Sequence, residues 1–294
     1  MGRNEVAMTK HLLSFGHGYS AQALAELLPP KTWHITATTR SAEKAQALAA
    51  PGITPVIWPG SDLGPALASA THLLISAAPG PDGDPVLATL EDQIAEQSAH
   101  LEWVGYLSTT GVYGDHGGEW VDETTPLSPS TKRGEARVRA EAAWQRLATR
   151  ARLPLHIFRL AGIYGPGRGP FSKVRNGTAR RIIKKNQLFS RIHVADIAQV
   201  LEASIRQPRP GAIYNLCDND PAPPEDVIAY AAELLGLPIP PAVPFEEADM
   251  TPMARSFYAE SKKVRNTLIT SELGVELLYA DYRTGLQALL AAED

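Results

Sequence analysis

Apolar and polar positions along this chain fall into short β-type runs separated by stretches with helical spacing. The first run is His11–Phe15, and the pattern returns at Trp33–Ala37, Ile53–Trp58, His72–Ser76, Glu102–Ser108, Leu155–Leu160 and Ala212–Cys217. In between, apolar residues recur three and four positions apart, as on one face of a helix. Ala21, Leu24, Leu27 and Leu28 form one such face; Val86, Leu87, Leu90 and Ile94 form a second; Ile197, Val200, Leu201, Ser204 and Ile205 form a third. Strands alternating with helices in this way predict an α/β fold built on a doubly wound parallel sheet.

Punctuation sharpens the boundaries. Asp84-Pro85 supplies a helix cap followed by proline at the first helical position, and Pro223-Pro224 opens a helix whose expected C′ residue is Gly236. Gly165-Pro166-Gly167-Arg168-Gly169-Pro170 begins a loop-rich stretch, and Pro238–Pro244 is a second irregular connection. The expected organisation is a dinucleotide-binding domain over residues 1–165, to which 191–218 returns, and a smaller C-terminal substrate lobe over 166–294.

The cofactor expectation comes from the junction after the first strand. Gly16-His17-Gly18-Tyr19-Ser20-Ala21 joins a strand to a helix. Gly16 allows a tight turn, Gly18 lets a pyrophosphate approach the backbone, and small Ala21 lets helix and strand pack closely. The helix start adds free N–H groups and a positive dipole end, which suit an anion. His17 and Tyr19 belong to the same expected site, as does Ala77 just past the fourth strand. At the end of the second strand the chain reads Thr38-Thr39-Arg40-Ser41, with no acid to select a free ribose 2′-hydroxyl. Thr39, Arg40 and Ser41 can instead hold a 2′-phosphate, so NADP is expected over NAD. The competing reading makes Arg40 a solvated loop residue and Ser41 a helix cap. Asp62 is expected either at the adenine or as a turn aspartate.

The middle of the chain carries the chemistry. Leu107-Ser108-Thr109-Thr110-Gly111-Val112-Tyr113-Gly114-Asp115 puts hydroxyls at the carboxyl edge of the sheet, where such folds bind ligands. This segment resembles the serine/threonine motif of the extended short-chain dehydrogenase/reductases, the group that includes nucleotide-sugar epimerases and dehydratases. Arg159-Leu160-Ala161-Gly162-Ile163-Tyr164-Gly165-Pro166-Gly167, Ile192-His193-Val194-Ala195-Asp196-Ile197 and Ile213-Tyr214-Asn215-Leu216 are similar to further motifs of that family, in its order. The resemblance implies a Rossmann-type fold, a nicotinamide dinucleotide and hydride-transfer chemistry, with Thr109 in the place of the catalytic hydroxyl.

One departure stands out. The family carries a tyrosine and, four residues on, a lysine in the next helix. Here Arg133-Gly134-Glu135-Ala136-Arg137-Val138-Arg139-Ala140-Glu141 fits that frame, with Arg133 for the tyrosine and Arg137 for the lysine. Arginine stays protonated throughout the working range, so Arg133 can hold an anion but is a poor general acid. Arg137 can keep the lysine's role at the nicotinamide ribose, with different geometry. A shifted register would put Thr131 and Glu135 in those places. The replacement acid is expected from Tyr113, Tyr164 or water, although for Tyr113 packing against the turn is the stronger expectation. The alternative function is an NADP(H)-binding sensor or scaffold without turnover.

Composition narrows the partners. The 294 residues carry a net charge of −4 and 44% hydrophobic residues, unlike the basic field of a nucleic-acid binder, and no RNA-binding motif is present. Cys217 is the single cysteine, which excludes an internal disulfide, and the eight histidines show no metal-ligand spacing. A polar Met1–Lys10 and glycine-interrupted apolar runs give neither a signal peptide nor a membrane span, so a cytoplasmic location is expected. Between Arg168 and Arg191 lie Lys173, Arg175, Arg180, Arg181, Lys184 and Lys185. That basic stretch suits a small anionic substrate, or else a solvated face. Asp122 and Glu123 are expected on a solvated loop.

Overall fold

The computed structural model describes residues 9–293. In chain order its first half comprises β1 (Lys10–Phe15), α1 (Tyr19–Leu27), β2 (Trp33–Thr39), α2 (Ala42–Leu48), β3 (Ile53–Ile57), α3 (Gly64–Ser69), β4 (His72–Ile75), α4 (Leu87–Glu96), β5 (Trp103–Thr109), β6 (Trp120–Val121) and α5 (Lys132–Ala151). There follow β7 (Leu155–Leu160), β8 (Gly162–Tyr164), α6 (Phe171–Arg175), β9 (Arg181–Ile183), β10 (Arg191–His193), α7 (Val194–Arg206) and β11 (Ile213–Leu216). The chain finishes with α8 (Pro224–Leu234), β12 (Ala242–Pro244), α9 (Pro252–Phe257), β13 (Lys263–Val264), α10 (Thr267–Leu273) and α11 (Tyr282–Ala291). Seven strands form one sheet in the order β11-β7-β5-β4-β1-β2-β3, with parallel pairing from β3 through β2, β1 and β4 to β5. This is the doubly wound α/β fold that the alternating pattern predicts.

The chain divides into two compact units that differ from the expected boundary at residue 165. One unit comprises 1–108, 139–158 and 198–213, and the other 109–138, 159–197 and 214–294. Segments leaving β5 and β7 take their contacts within the C-terminal unit, and the returning segment is 198–213 rather than 191–218.

In the first unit, α5 buries Ala140, Trp144 and Leu147, spaced for one helical face, and the Trp144 ring lies 6.2 Å from that of Tyr106 on β5. Burying each large apolar side chain stabilises the fold by about 1.5–3 kcal/mol. Trp103, also fully buried, donates its indole N–H to Ser204 Oγ at 3.0 Å, so this polar atom in the core is satisfied. The second unit has its own core of Tyr164, Phe171, Val174, Ala231, Tyr282 and Leu286. Several sequence signals have direct counterparts. Asp84 Oδ1 accepts from the N–H groups of Val86 and Leu87 ahead of α4. Gly236 takes φ +63° after α8, and the Leu237 N–H returns to the Ala232 carbonyl, closing that helix as its C′ glycine should. Among the described residues, no helix is long and apolar enough to cross a membrane, and no cluster of three or more His, Cys, Asp or Glu could hold a metal ion.

Candidate functional site

The expected cofactor residues lie in the first unit. Gly16 follows β1 with φ +71°, and a Cβ there would stand 2.9 Å from the Ala77 backbone nitrogen. Both facts demand glycine. Thr38 holds the turn, its Oγ1 accepting from the Gly16 N–H at 2.8 Å and its carbonyl from the His17 N–H at 2.9 Å. Gly18 differs: its φ is −102°, and a Cβ would meet only the Gly16 carbonyl oxygen, at 3.6 Å. Packing therefore does not require a glycine here, whereas close approach of a ligand would. Gly18 is the N-cap of α1 and offers no side-chain cap, and Ala21 is fully buried against the sheet. The N–H groups of the first turn thus keep the anion-binding capacity of a helix start. These features fit a dinucleotide pyrophosphate.

His17 is turned into the fold. Its ring is buried, its Nδ1 lies 2.9 Å from Ser14 Oγ, and its backbone N–H is taken by Thr38. Burial pushes its pKa down to about 4, so it packs as a neutral ring, with Nε2 left without a hydrogen-bond partner among the described residues. Arg40 is exposed beside buried Thr39. Ser41 Oγ accepts from the Lys44 N–H at 3.2 Å as the N-cap of α2, which realises its capping role and leaves the hydroxyl proton to donate. Asp62 Oδ1 accepts from the Gly64 N–H at 2.8 Å, the turn role, and the side chain is exposed.

Thr109–Asp115 of the serine/threonine segment, with Arg133 and Arg137 of the altered helix frame, lie in the second unit. Thr109 is half-buried, and its Oγ1 accepts from the Gly111 N–H at 3.1 Å. That bond fixes the oxygen and leaves the O–H as a donor. Gly134, on the first turn of α5, is pressed against this segment: a Cβ on it would come within 2.8 Å of the Gly111 carbonyl oxygen. Thr131 caps α5, its Oγ1 accepting from the Gly134 N–H at 3.1 Å, and Glu135 is exposed in the first turn. Thr131 thus stands ahead of α5, whereas Arg133 and Arg137 both lie on it. Arg133 is exposed with its guanidinium 4.8 Å from the centroid of the Phe257 ring, and Arg137 is half-buried.

Tyr113 packs against the turn, the stronger of the two sequence expectations. It is fully buried; its hydroxyl donates to Asn215 Oδ1 at 2.7 Å and accepts from Arg159 Nη1 at 2.9 Å. Burial pushes its pKa up to about 12 despite the arginine beside it. Tyr164 is likewise buried with its pKa raised, first by desolvation and then by Asp218 and other carboxylates. Its hydroxyl is pressed against α11, where a Cβ on Gly285 would overlap it.

Other polar residues here carry no local sequence signal. Lys262 is nearly buried, with Nζ 2.8 Å from the Gly114 carbonyl and 2.6 Å from Glu260 Oε2. Glu123, expected on a solvated face, instead accepts from the Asn215 N–H at 2.8 Å, and desolvation raises its pKa. Asp122 keeps its loop role by bonding Thr124 and Thr125. Ser108 donates to buried Glu141 at 2.5 Å within the first unit. Only the pairing of distant segments brings these groups together, so periodicity could not reveal them.

The basic stretch is partly consumed by its own unit. Arg175 pairs with Glu293, Arg180 donates to the Gly177 and Ala179 carbonyls, and Lys184 donates to the Tyr258 carbonyl. Arg168 and Arg191 instead line a cavity of about 270 Å³ with Tyr164, Tyr282, Val227 and Leu286. Arg191 is held by the Phe189 and Ala222 carbonyls, and buried Asp218 nearby is pushed up to about 8 by desolvation.

Comparison with known proteins places this geometry. A family model described as the NAD dependent epimerase/dehydratase family matches residues 90–217. Protein YeeZ of Escherichia coli (strain K12) is 28% identical over 285 residues, covering 92% of this chain and 97% of YeeZ. A solved structure of a functionally unknown conserved protein from Silicibacter pomeroyi DSS is 62% identical, with a TM-score of 0.92, covering 97% of this chain and 99% of that one. The dTDP-glucose 4,6-dehydratase of Bacillus anthracis str. Ames, solved in complex with NAD, shares the fold at 17% identity, with a TM-score of 0.77 and 97% of each chain covered.

Proposed function

Residues 90–217 match the family model of the NAD dependent epimerase/dehydratase family, and we propose that the chain belongs to that family, binds NADP(H) in preference to NAD(H) and acts on a small anionic substrate. The observation that carries the cofactor reading is the contrast between the two turn glycines. Gly16 is demanded by its own backbone and by Ala77, while Gly18 is demanded by nothing in the protein around it. Arg40, exposed and with no acid at the strand end, supports the 2′-phosphate. The family's solved relatives named above include one with NAD, so the preference for NADP is this chain's own feature to test.

The bound dinucleotide would supply the hydride acceptor or donor. Thr109 would donate its O–H to the substrate oxygen, its orientation fixed by the Gly111 N–H. A guanidinium is a poor general acid, the Tyr113 hydroxyl is enclosed, and the Tyr164 hydroxyl is pressed against α11. Water is therefore the proton partner of an oxidoreductase or an epimerase/dehydratase-like reaction here. The same enclosure favours a second reading, a dinucleotide-binding sensor or scaffold without turnover. Calorimetric titration with NADPH and NADH, followed by turnover assays on hydroxy- and keto-acid and sugar-nucleotide panels, tests both. Tight NADPH binding with turnover supports the enzyme; tight binding without turnover supports the sensor; equal affinity for both cofactors removes the NADP assignment.

A further inference from the structure

Arg133 occupies the position of the family's tyrosine, and its surroundings are those of a recognition group. The guanidinium lies over the ring of Phe257, the last residue of α9, and both side chains are exposed. Among the described residues no carboxylate pairs with Arg133. Glu260, close after α9 in the chain, is occupied: Lys262 donates to its Oε2 at 2.6 Å and Ser130 to its Oε1 at 2.6 Å. Glu135 is two residues along the helix, a spacing that does not face Arg133, whereas Arg137 at i+4 shares its face. Next to Arg133 in sequence, Gly134 is fitted against the Gly111 carbonyl, beside the turn that carries Thr109.

A guanidinium laid on an aromatic ring is covered on one face and keeps its N–H edge open. That edge presents two parallel donors, which match the two coplanar oxygens of a carboxylate. A lysine would give a point charge without this fork, and the ring restricts the side-chain motion that an exposed arginine otherwise loses on binding. We propose that Arg133, positioned by Phe257, binds a carboxylate group of the substrate, so that an acid-recognising residue stands where the family has its proton donor. The inference rests on the reading of the Thr109 turn as the substrate side of the molecule, and it narrows the substrate class to carboxylic acids.

Phenylglyoxal labelling of arginine, read peptide by peptide in a mass spectrometer, tests it on the full chain without cofactor. Oxalate and inorganic phosphate serve as probes at matched ionic strength, with exposed Arg139 on the same helix as the internal reference. Oxalate at about ten times its dissociation constant is expected to slow labelling of Arg133 by about tenfold and to leave Arg139 unchanged. In Phe257→Leu, which keeps the bulk and removes the ring, most of that protection should vanish while the melting temperature holds. Equal labelling with and without oxalate overturns the proposal. Protection by phosphate equal to or stronger than that by oxalate overturns the carboxylate assignment, and full protection in Phe257→Leu overturns the role of the ring. Because the labelling needs no dinucleotide, a failure to bind NADPH would show separately, in the titration, and leave this answer standing.

Discussion

A Cβ on Gly134 would stand 2.8 Å from the carbonyl oxygen of Gly111, so the start of α5 and the turn after Thr109 meet at a distance only glycine permits. Gly134→Ala forces one of the two backbones to move. The expected cost is about 1–3 kcal/mol, the usual range for overpacking, read as a lower denaturant midpoint. An unchanged midpoint would mean that the turn yields freely and does not fix Thr109.

The two glycines of the cofactor turn should separate cleanly. Gly16→Ala is expected to lose more than about 1 kcal/mol of stability, because it places a side chain in the left-handed region and against Ala77. Gly18→Ala should fold almost as the parent does, since φ is −102° and the space is open, yet bind NADPH at least about tenfold more weakly. Melting curves and calorimetry on the two variants decide the matter. Unchanged affinity in Gly18→Ala would remove the pyrophosphate from this turn.

Arg40→Ala should narrow the gap between NADPH and NADH by about 1.5–3 kcal/mol, chiefly by weakening NADPH. NADH affinity should hardly change, because the side chain is exposed. A gap of the same size in the variant would return Arg40 to the solvent.

Given turnover, Thr109→Ser should retain most of the rate and Thr109→Val should lose it. Valine also leaves the Gly111 N–H without its partner, at about 1 kcal/mol of stability. The serine variant therefore separates chemistry from folding. If serine and valine behave alike in rate, the hydroxyl does not touch the substrate.

Stability should peak near neutral pH, and the direction on each side follows from buried groups. His17, His72, His156 and His193 are held neutral by desolvation at about 4, 3, 4 and 4, against 6.5 when unfolded. Between those values the unfolded chain binds more protons, so stability falls as pH drops below about 6.5. Asp196 and Asp218, raised to about 6 and about 8 by burial, work in the opposite sense. They keep protons in the folded chain that the unfolded chain gives up above 3.8, so their contribution is lost as pH rises through the folded values. Four histidines outweigh two carboxyls on the acid side; above 6.5 Asp218 remains. Thermal melts from pH 5 to 8 should rise to about 6.5 and then decline gently, with the decline gone in Asp218→Asn. A melting temperature highest at pH 5 would contradict this account.

The strands and helices were legible because their information is local. Alternation at Trp33–Ala37 and the cap at Asp84 act within a few residues, and the structure realises them in place. The glycine turn was legible for the same reason. His17 was not, because its inward direction depends on Thr38 and Ser14, and the turn motif says nothing about either. Tyr113 illustrates the same limit: its hydroxyl meets Arg159 and Asn215, 46 and 102 residues away. Lys262, at Gly114, lies 148 residues from its partner and sits in a run of polar residues that reads as surface. The division into units follows contacts between distant segments, which composition along the chain does not carry.

Asp196 is fully buried and accepts the backbone N–H groups of Leu278 and Tyr279, at 2.7 and 3.2 Å. On the ribosome, that carboxyl emerges long before the residues that satisfy it. Until about eighty further residues have been made, the start of α7 must keep its acid hydrated, and so the second unit cannot close on the order in which its segments appear. Assembly of this unit thus waits for the segment around Leu278 and Tyr279, long after the first four strands of the sheet have been made.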